Sequence, residues 1–103
     1  MGIANWTTPT IVLTFTDETL DLTQAANVYV TLRSGTNYVT KTGTALTITA
    51  KTISIYLSQV EVGSFGVGGI EIQANWTDSS GNRFASDIAT ITITGNLLNR
   101  VIS

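Results

Sequence analysis

The chain has 103 residues, of which 43% are hydrophobic and only 12% are charged, with a formal net charge of −2. That length supports one core, so residues 1–103 are expected to form a single domain. The five basic residues, Arg33, Lys41, Lys51, Arg83 and Arg100, are scattered, which excludes the clustered cations of a nucleic-acid binder.

Apolar residues recur with period two almost throughout, the mark of strands buried on one face. Residues 1–6 show no basic stretch leading into an apolar one, so no secretory signal is expected. No run is long enough to span a membrane, and the domain is expected to be soluble. Pro9 suits the first position of an edge strand. Beyond it, Ile11, Leu13 and Phe15 are expected inward, against Val12, Thr14 and Thr16. Val28, Val30 and Leu32 form the next inward row, with Tyr29, Thr31 and Arg33 facing away. Ser34-Gly35-Thr36-Asn37 reads as a turn, and residues 38–41 as a short return strand broken at Thr42-Gly43. Leu46 and Ile48, then Ile53, Ile55 and Leu57 past a turn at Ala50-Lys51, extend the core.

Ser58 and Glu61 have capping-box spacing, which predicts a helical turn over residues 58–65 crossing between two sheets. Phe65 would plug the core there, with Gly66, Gly68 and Gly69 supplying tight backbone behind it. Ile70, Ile72, Ala74 and Trp76 alternate with Glu71, Gln73 and Asn75, and residues 78–82 read as a hairpin turn. In the last strand, residues 83–94, Phe84, Ser86 and Ile88 share one parity while Ala89, Ile91 and Ile93 share the other. A one-residue bulge or bend near Asp87 would reconcile them, as would burial on both faces. After Gly95-Asn96, Leu97, Leu98, Val101 and Ile102 have the spacing of a short C-terminal helix that folds back or docks elsewhere. Together these elements predict an all-β, immunoglobulin-like antiparallel sandwich of about seven strands, with Greek-key connections.

Histidine and cysteine are both absent. Ser-His and Cys-His nucleophile pairs, most zinc sites and the usual general base go with them. Neither catalysis nor a cofactor is expected. Asp17, Glu18 and Asp21 fall within five residues and offer the oxygens a hard cation favours. Their spacing does not match an EF-hand loop, and a solvated acidic turn is the plainer account. Glycosidase chemistry needs two converging carboxylates in a cleft, for which so small a sandwich has little room. Residues 63–69 have the glycines of a phosphate loop but no lysine, and they lead into a strand where an anion site needs a helix. Asn5-Trp6-Thr7 and Asn75-Trp76-Thr77 fit the glycosylation pattern, for which chance is the better account.

Phe15, Phe65, Trp76 and Phe84 are expected in the core. Trp6, Tyr29, Tyr38 and Tyr56 either pack on sheet surfaces or form a stacking platform for a sugar or a protein. The nineteen threonines lie almost wholly in the strand-like runs. Threonine favours extended backbone, and its hydroxyl tolerates water. A face built of it meets solvent, or accepts a partner without desolvating charges.

Several stretches, in order, carry a resemblance. Thr8-Pro9-Thr10 leads straight into the alternation of residues 11–16, and Asp21-Leu22-Thr23 precedes Val28-Tyr29-Val30-Thr31-Leu32. Residues 53–57 run into Ser58-Gln59-Val60-Glu61 and then Phe65. Residues 70–77 precede a polar turn with Gly81, Ala85-Ser86-Asp87-Ile88 opens the last strand, and Leu97-Leu98-Asn99-Arg100-Val101-Ile102 follows it. In this order the chain resembles short prophage-encoded tail or baseplate structural proteins, and is similar to the Ig-like N-terminal domain of phage baseplate upper proteins. The resemblance implies a non-catalytic assembly subunit, found in the virion or in the bacterial cytoplasm before assembly. Its implied partners are other phage structural proteins or further copies of itself, with no nucleic acid, membrane or small-molecule ligand.

The residues expected to meet such partners are Trp6, Tyr29, Tyr38, Leu97, Leu98, Val101 and Ile102. Residues 46–57 would add to them if they lay at an open sheet edge, since few inward charges guard them. The alternative is a carbohydrate-binding or adhesive sandwich using Trp6 and the tyrosines.

Overall fold

The computed structural model describes residues 2–95. In chain order their strands are β1 (Gly2–Ala4), β2 (Thr10–Thr14), β3 (Asn27–Ser34), β4 (Asn37–Thr42) and β5 (Leu46–Ile48). They continue with β6 (Thr52–Tyr56), β7 (Gly68–Thr77), β8 (Arg83–Ala85) and β9 (Ala89–Thr94). One helix, α1 (Gln59–Phe65), and two single 3₁₀ turns, Leu22–Gln24 and Gly43–Ala45, lie between them. The helical turn expected around Leu97, Leu98, Val101 and Ile102 falls outside the described residues.

The larger sheet has the order β1-β9-β7-β3-β4, with β8 also against β7, and the smaller has β2-β6-β5. The rows read from alternation face each other across one core. Val28, Val30 and Leu32 of β3 stand opposite Trp76, Ala74 and Ile72 of β7. On the smaller sheet Ile11 pairs with Ile55 and Leu13 with Ile53, while Leu46 and Ile48 flank the same two residues from the other side. Ile11, Val30, Leu32, Ile53, Ile55, Ile70 and Ile72 are all buried. Two stacked sheets in this strand order form an all-β sandwich, as the alternation predicts.

Two features depart from the antiparallel, seven-strand expectation. First, β1 runs parallel to β9, so the larger sheet is mixed. The chain leaves that sheet at Asn5, whose N–H donates to the Thr94 carbonyl and whose Oδ1 accepts from the Trp6 N–H (both 2.9 Å). Trp6 sits at φ 60, a left-handed conformation uncommon outside glycine. The reversal lets the chain cross to the smaller sheet and begin β2 after Pro9.

Second, the last strand is interrupted. Ala85 pairs with Asn75 whereas Ala89 pairs with Ile72, so four steps on one strand match three on β7. The extra residue is the bulge that the change of parity calls for. It centres on Ser86, whose N–H reaches the Ala74 carbonyl (2.9 Å) and whose Oγ accepts from the Ala74 N–H (3.0 Å). The bulge turns Ile88 outward: it is 56% exposed, in a shallow outer-face depression with Arg33 and Tyr38. The parity that Ile88 shares with Phe84 therefore does not bring it to the core side.

Helix α1 carries the chain from β6 in the smaller sheet to β7 in the larger. Its capping box is complete: Ser58 Oγ accepts from the Glu61 N–H (3.2 Å), and Glu61 Oε1 accepts from the Ser58 N–H (2.8 Å). Val62 and Phe65 are buried, and Gly66 at φ 74 stops the helix. Residues 46–57 are not one open edge. Strand β6 lies inside its sheet between β2 and β5, leaving only the three residues of β5 at the rim.

Candidate functional site

Of the two alternatives for Trp6, Tyr29, Tyr38 and Tyr56, a common stacking platform is not what the described residues form, because the four rings are dispersed. Trp6 lies over α1, its indole occupying the space where a side chain on Gly63 would begin. Tyr29 and Tyr38 share the outer face of the larger sheet, exposed by 43% and 62%. They stand opposite Thr42 and Arg33 respectively, so about four strand steps, roughly 13 Å, separate them. Tyr56 lies on the smaller sheet. No single ligand ring could stack on all of them. Leu97, Leu98, Val101 and Ile102 are beyond the described residues.

Aromatic rings do converge, at a place the alternation assigns to the core. Phe15 meets Trp76 edge-on, with centroids 5.6 Å apart, and Phe84 lies along the other side of Trp76 at 6.1 Å and 21°. Trp76 and Phe84 are directly opposed on β7 and β8. All three rings are on the core side, but the smaller sheet ends before it covers them. Phe15 and Trp76 remain half-buried and Phe84 is 46% exposed. Together with Leu13, Leu20 and Ala89 they line a cleft of about 800 Å³ at this end of the sandwich. Strand β2 pairs only with β6, and β8 only with β7, among the described residues. The cleft thus lies between two strands that each have an unpaired edge.

Its rim is acidic. Of the seven acidic residues in the chain, Asp17, Asp21, Asp78 and Asp87 line this one cleft. Three of them hold their own loops. Asp17 Oδ1 accepts from the Thr19 N–H and hydroxyl (2.9 and 2.8 Å), and Asp21 Oδ1 accepts likewise from Thr23 (3.0 and 2.5 Å). Asp78 accepts from the backbone of Ser80 and from the backbone and side chain of Asn82, closing the 78–82 turn. These bonds hold all three carboxyls below the usual aspartate value, with the side chains of Thr19, Thr23 and Asn82 as the leading causes. Lys51 also lowers Asp17 and Asp21 through its charge, while its Nζ donates to the carbonyls of Asp17 and Leu20.

Asp17, Glu18 and Asp21 do not converge. Glu18 points into solvent, Asp17 and Asp21 serve separate turns, and among the described residues no three acidic side chains come together around a common point. No described helix is long and apolar enough to cross a membrane.

The cleft was hidden in the sequence because Phe15, Trp76 and Phe84 have the correct parity for a core. The available signal is position: Phe15 follows the last residue of β2, while Trp76 and Phe84 flank the 78–82 turn. Rings at strand ends lie at the end of a sandwich, where coverage by the opposite sheet runs out. No protein-family model matches the chain, and no curated protein matches it.

Proposed function

We propose that this domain is a non-catalytic structural subunit of a phage or prophage tail, working through protein–protein contacts within a multi-subunit particle. The observation that carries this reading is the outer face of the larger sheet. It presents Tyr29, Thr31, Tyr38 and Thr40, and its Arg33 is neutralised by Glu71 through the guanidinium (Nε to Oε1, 3.0 Å). A partner that covers such a face strips water mostly from hydroxyls and rings, and its own polar groups would have to re-pair the charges of Arg33, Glu71 and Arg83 that share the face. The absence of histidine and cysteine agrees with a role that needs no chemistry.

The test is deletion of the coding sequence from an inducible prophage that carries it. Lysis is expected on schedule, with a loss of complete, infectious particles. Normal particles with delayed lysis would point to an enzyme of release. A second reading, a carbohydrate-binding module, draws on the rings and carboxylates of the cleft. It requires Trp76 to respond to titration with free sugars.

A further inference from the structure

We infer that the cleft between β2 and β8 receives residues 97–102 of a second copy of this chain, so that copies join head to tail. The inference rests on the assembly reading above and names the site and the segment that would carry it.

Three observations point the same way. The first is an unfinished sandwich end. Phe15, Trp76 and Phe84 form an apolar floor, flanked by two strand edges that pair with nothing else among the described residues. An extended segment laid there can hydrogen-bond to a free edge while its alternate side chains cover the rings. The second is charge. Four aspartates line the cleft, with Lys51 alone nearby. Arg33 is held by Glu71, Lys41 by Glu61 and Arg83 by Asn75. The fifth basic residue, Arg100, stands within Leu97-Leu98-Asn99-Arg100-Val101-Ile102. That stretch unites large apolar side chains with a cation, as this floor and rim require.

The third is distance. Strand β9 finishes at the opposite end of the molecule, where Ile93 pairs with Gly68, eight residues along β7 from Trp76. That separation is about 27 Å at 3.4 Å per residue. Leu97 and Leu98 follow Thr94 by three and four residues, so even a fully extended chain carries them only about 10 and 14 Å from it. Val101 and Ile102, seven and eight residues past Thr94, come within reach of their own cleft at full extension, about 24 and 27 Å. Leu97 and Leu98 stop short of its near lining at Ala89, about 17 Å from Thr94. Only a neighbour's cleft can take all four apolar residues together. A cleft at one end and a segment leaving the other make a heterologous contact, which continues into a ring or a filament.

The experiment uses two full-length variants in sedimentation velocity. Phe84→Arg places a cation in the cleft and keeps the segment; Arg100→Glu combined with Val101→Asp spoils the segment and keeps the cleft. The wild-type chain is expected to form growing species as concentration rises, weakened by salt. Each variant alone should associate about tenfold more weakly or not at all. Mixed, they should form a one-to-one dimer that cannot grow, because only one good cleft and one good segment remain to be joined. Circular dichroism confirms that each variant folds, and the Trp76 indole resonance is expected to shift only in the mixture.

If wild type associates and neither variant changes it, the docking is wrong while the assembly reading stands. Segment changes that lower the melting temperature without altering mass would show packing within one molecule, and overturn the proposal. A wild-type chain that stays monomeric at every concentration overturns it too, leaving the assembly reading to the particles themselves.

Discussion

Single side chains decide several properties of this domain. Asp17, Asp21 and Asp78 are each held below the usual aspartate value by the turn they close. Burial pushes Glu61 up, but the hydrogen bond from Lys41 (Nζ to Oε2, 2.6 Å), with the Ser58 backbone, outweighs it and leaves that carboxyl lowered as well. Below their unfolded values, near pH 4, the unfolded chain binds more protons than the folded one. Stability is therefore fully present above that pH and falls as the pH drops through the lowered folded values. Acid unfolding followed by fluorescence should show this loss. Replacing Asp17, Asp21 and Asp78 together by Asn, which keeps an accepting oxygen, should flatten it. Gly63 is the other decisive position. A Cβ there would stand 2.5 Å from the Trp6 ring, so Gly63→Ala is expected to destabilise by about 1–2 kcal/mol through overpacking. In a Trp6→Ala background the same change should stabilise by about 0.5–1 kcal/mol, since alanine is the better helix former. Urea denaturation of the four proteins measures the coupling.

Among the elements, α1 was legible in the sequence and the bulge only partly so. Ser58 and Glu61 identify the start of the helix because both halves of a capping box lie within four residues. Ser58→Ala should lower stability by about 1 kcal/mol in thermal or urea unfolding. The change of parity in the last strand revealed that a residue is inserted, but not which side chain repairs the ladder. The parity alone places the insertion near Asp87. The repair is made by Ser86, because its short hydroxyl reaches the N–H of buried Ala74 across the strand. Ser86→Ala would leave that donor without its partner and should cost about 1–3 kcal/mol, with faster hydrogen exchange at Ala74 as the local sign. The crossing of the chain from β1 in the larger sheet to β2 in the smaller was not legible at all. It depends on a left-handed Trp6, which no residue preference announces.

For the whole molecule, the alternation of apolar residues was enough to read the sandwich, since period two fixes which residues face the core. Coverage was not readable, because it depends on where one sheet stops over the other. That is why three rings with core parity line an open cleft. The edges are also unequal. On β4, Lys41 faces inward opposite Val30 and is tied to Glu61 of α1, so the edge carries an inward charge that discourages pairing. On β2, Thr10–Thr14 carries no charge. Association is therefore expected at the β2 and cleft side rather than along β4.

The claim that this domain works as a building block is tested most directly by mass spectrometry of purified particles from a bacterium that encodes it. The chain is expected within the particles, at a constant ratio to the other structural proteins and resistant to washing in high salt. Its absence from intact particles, with the chain recovered only from the soluble lysate, would show that it is not one of their building blocks.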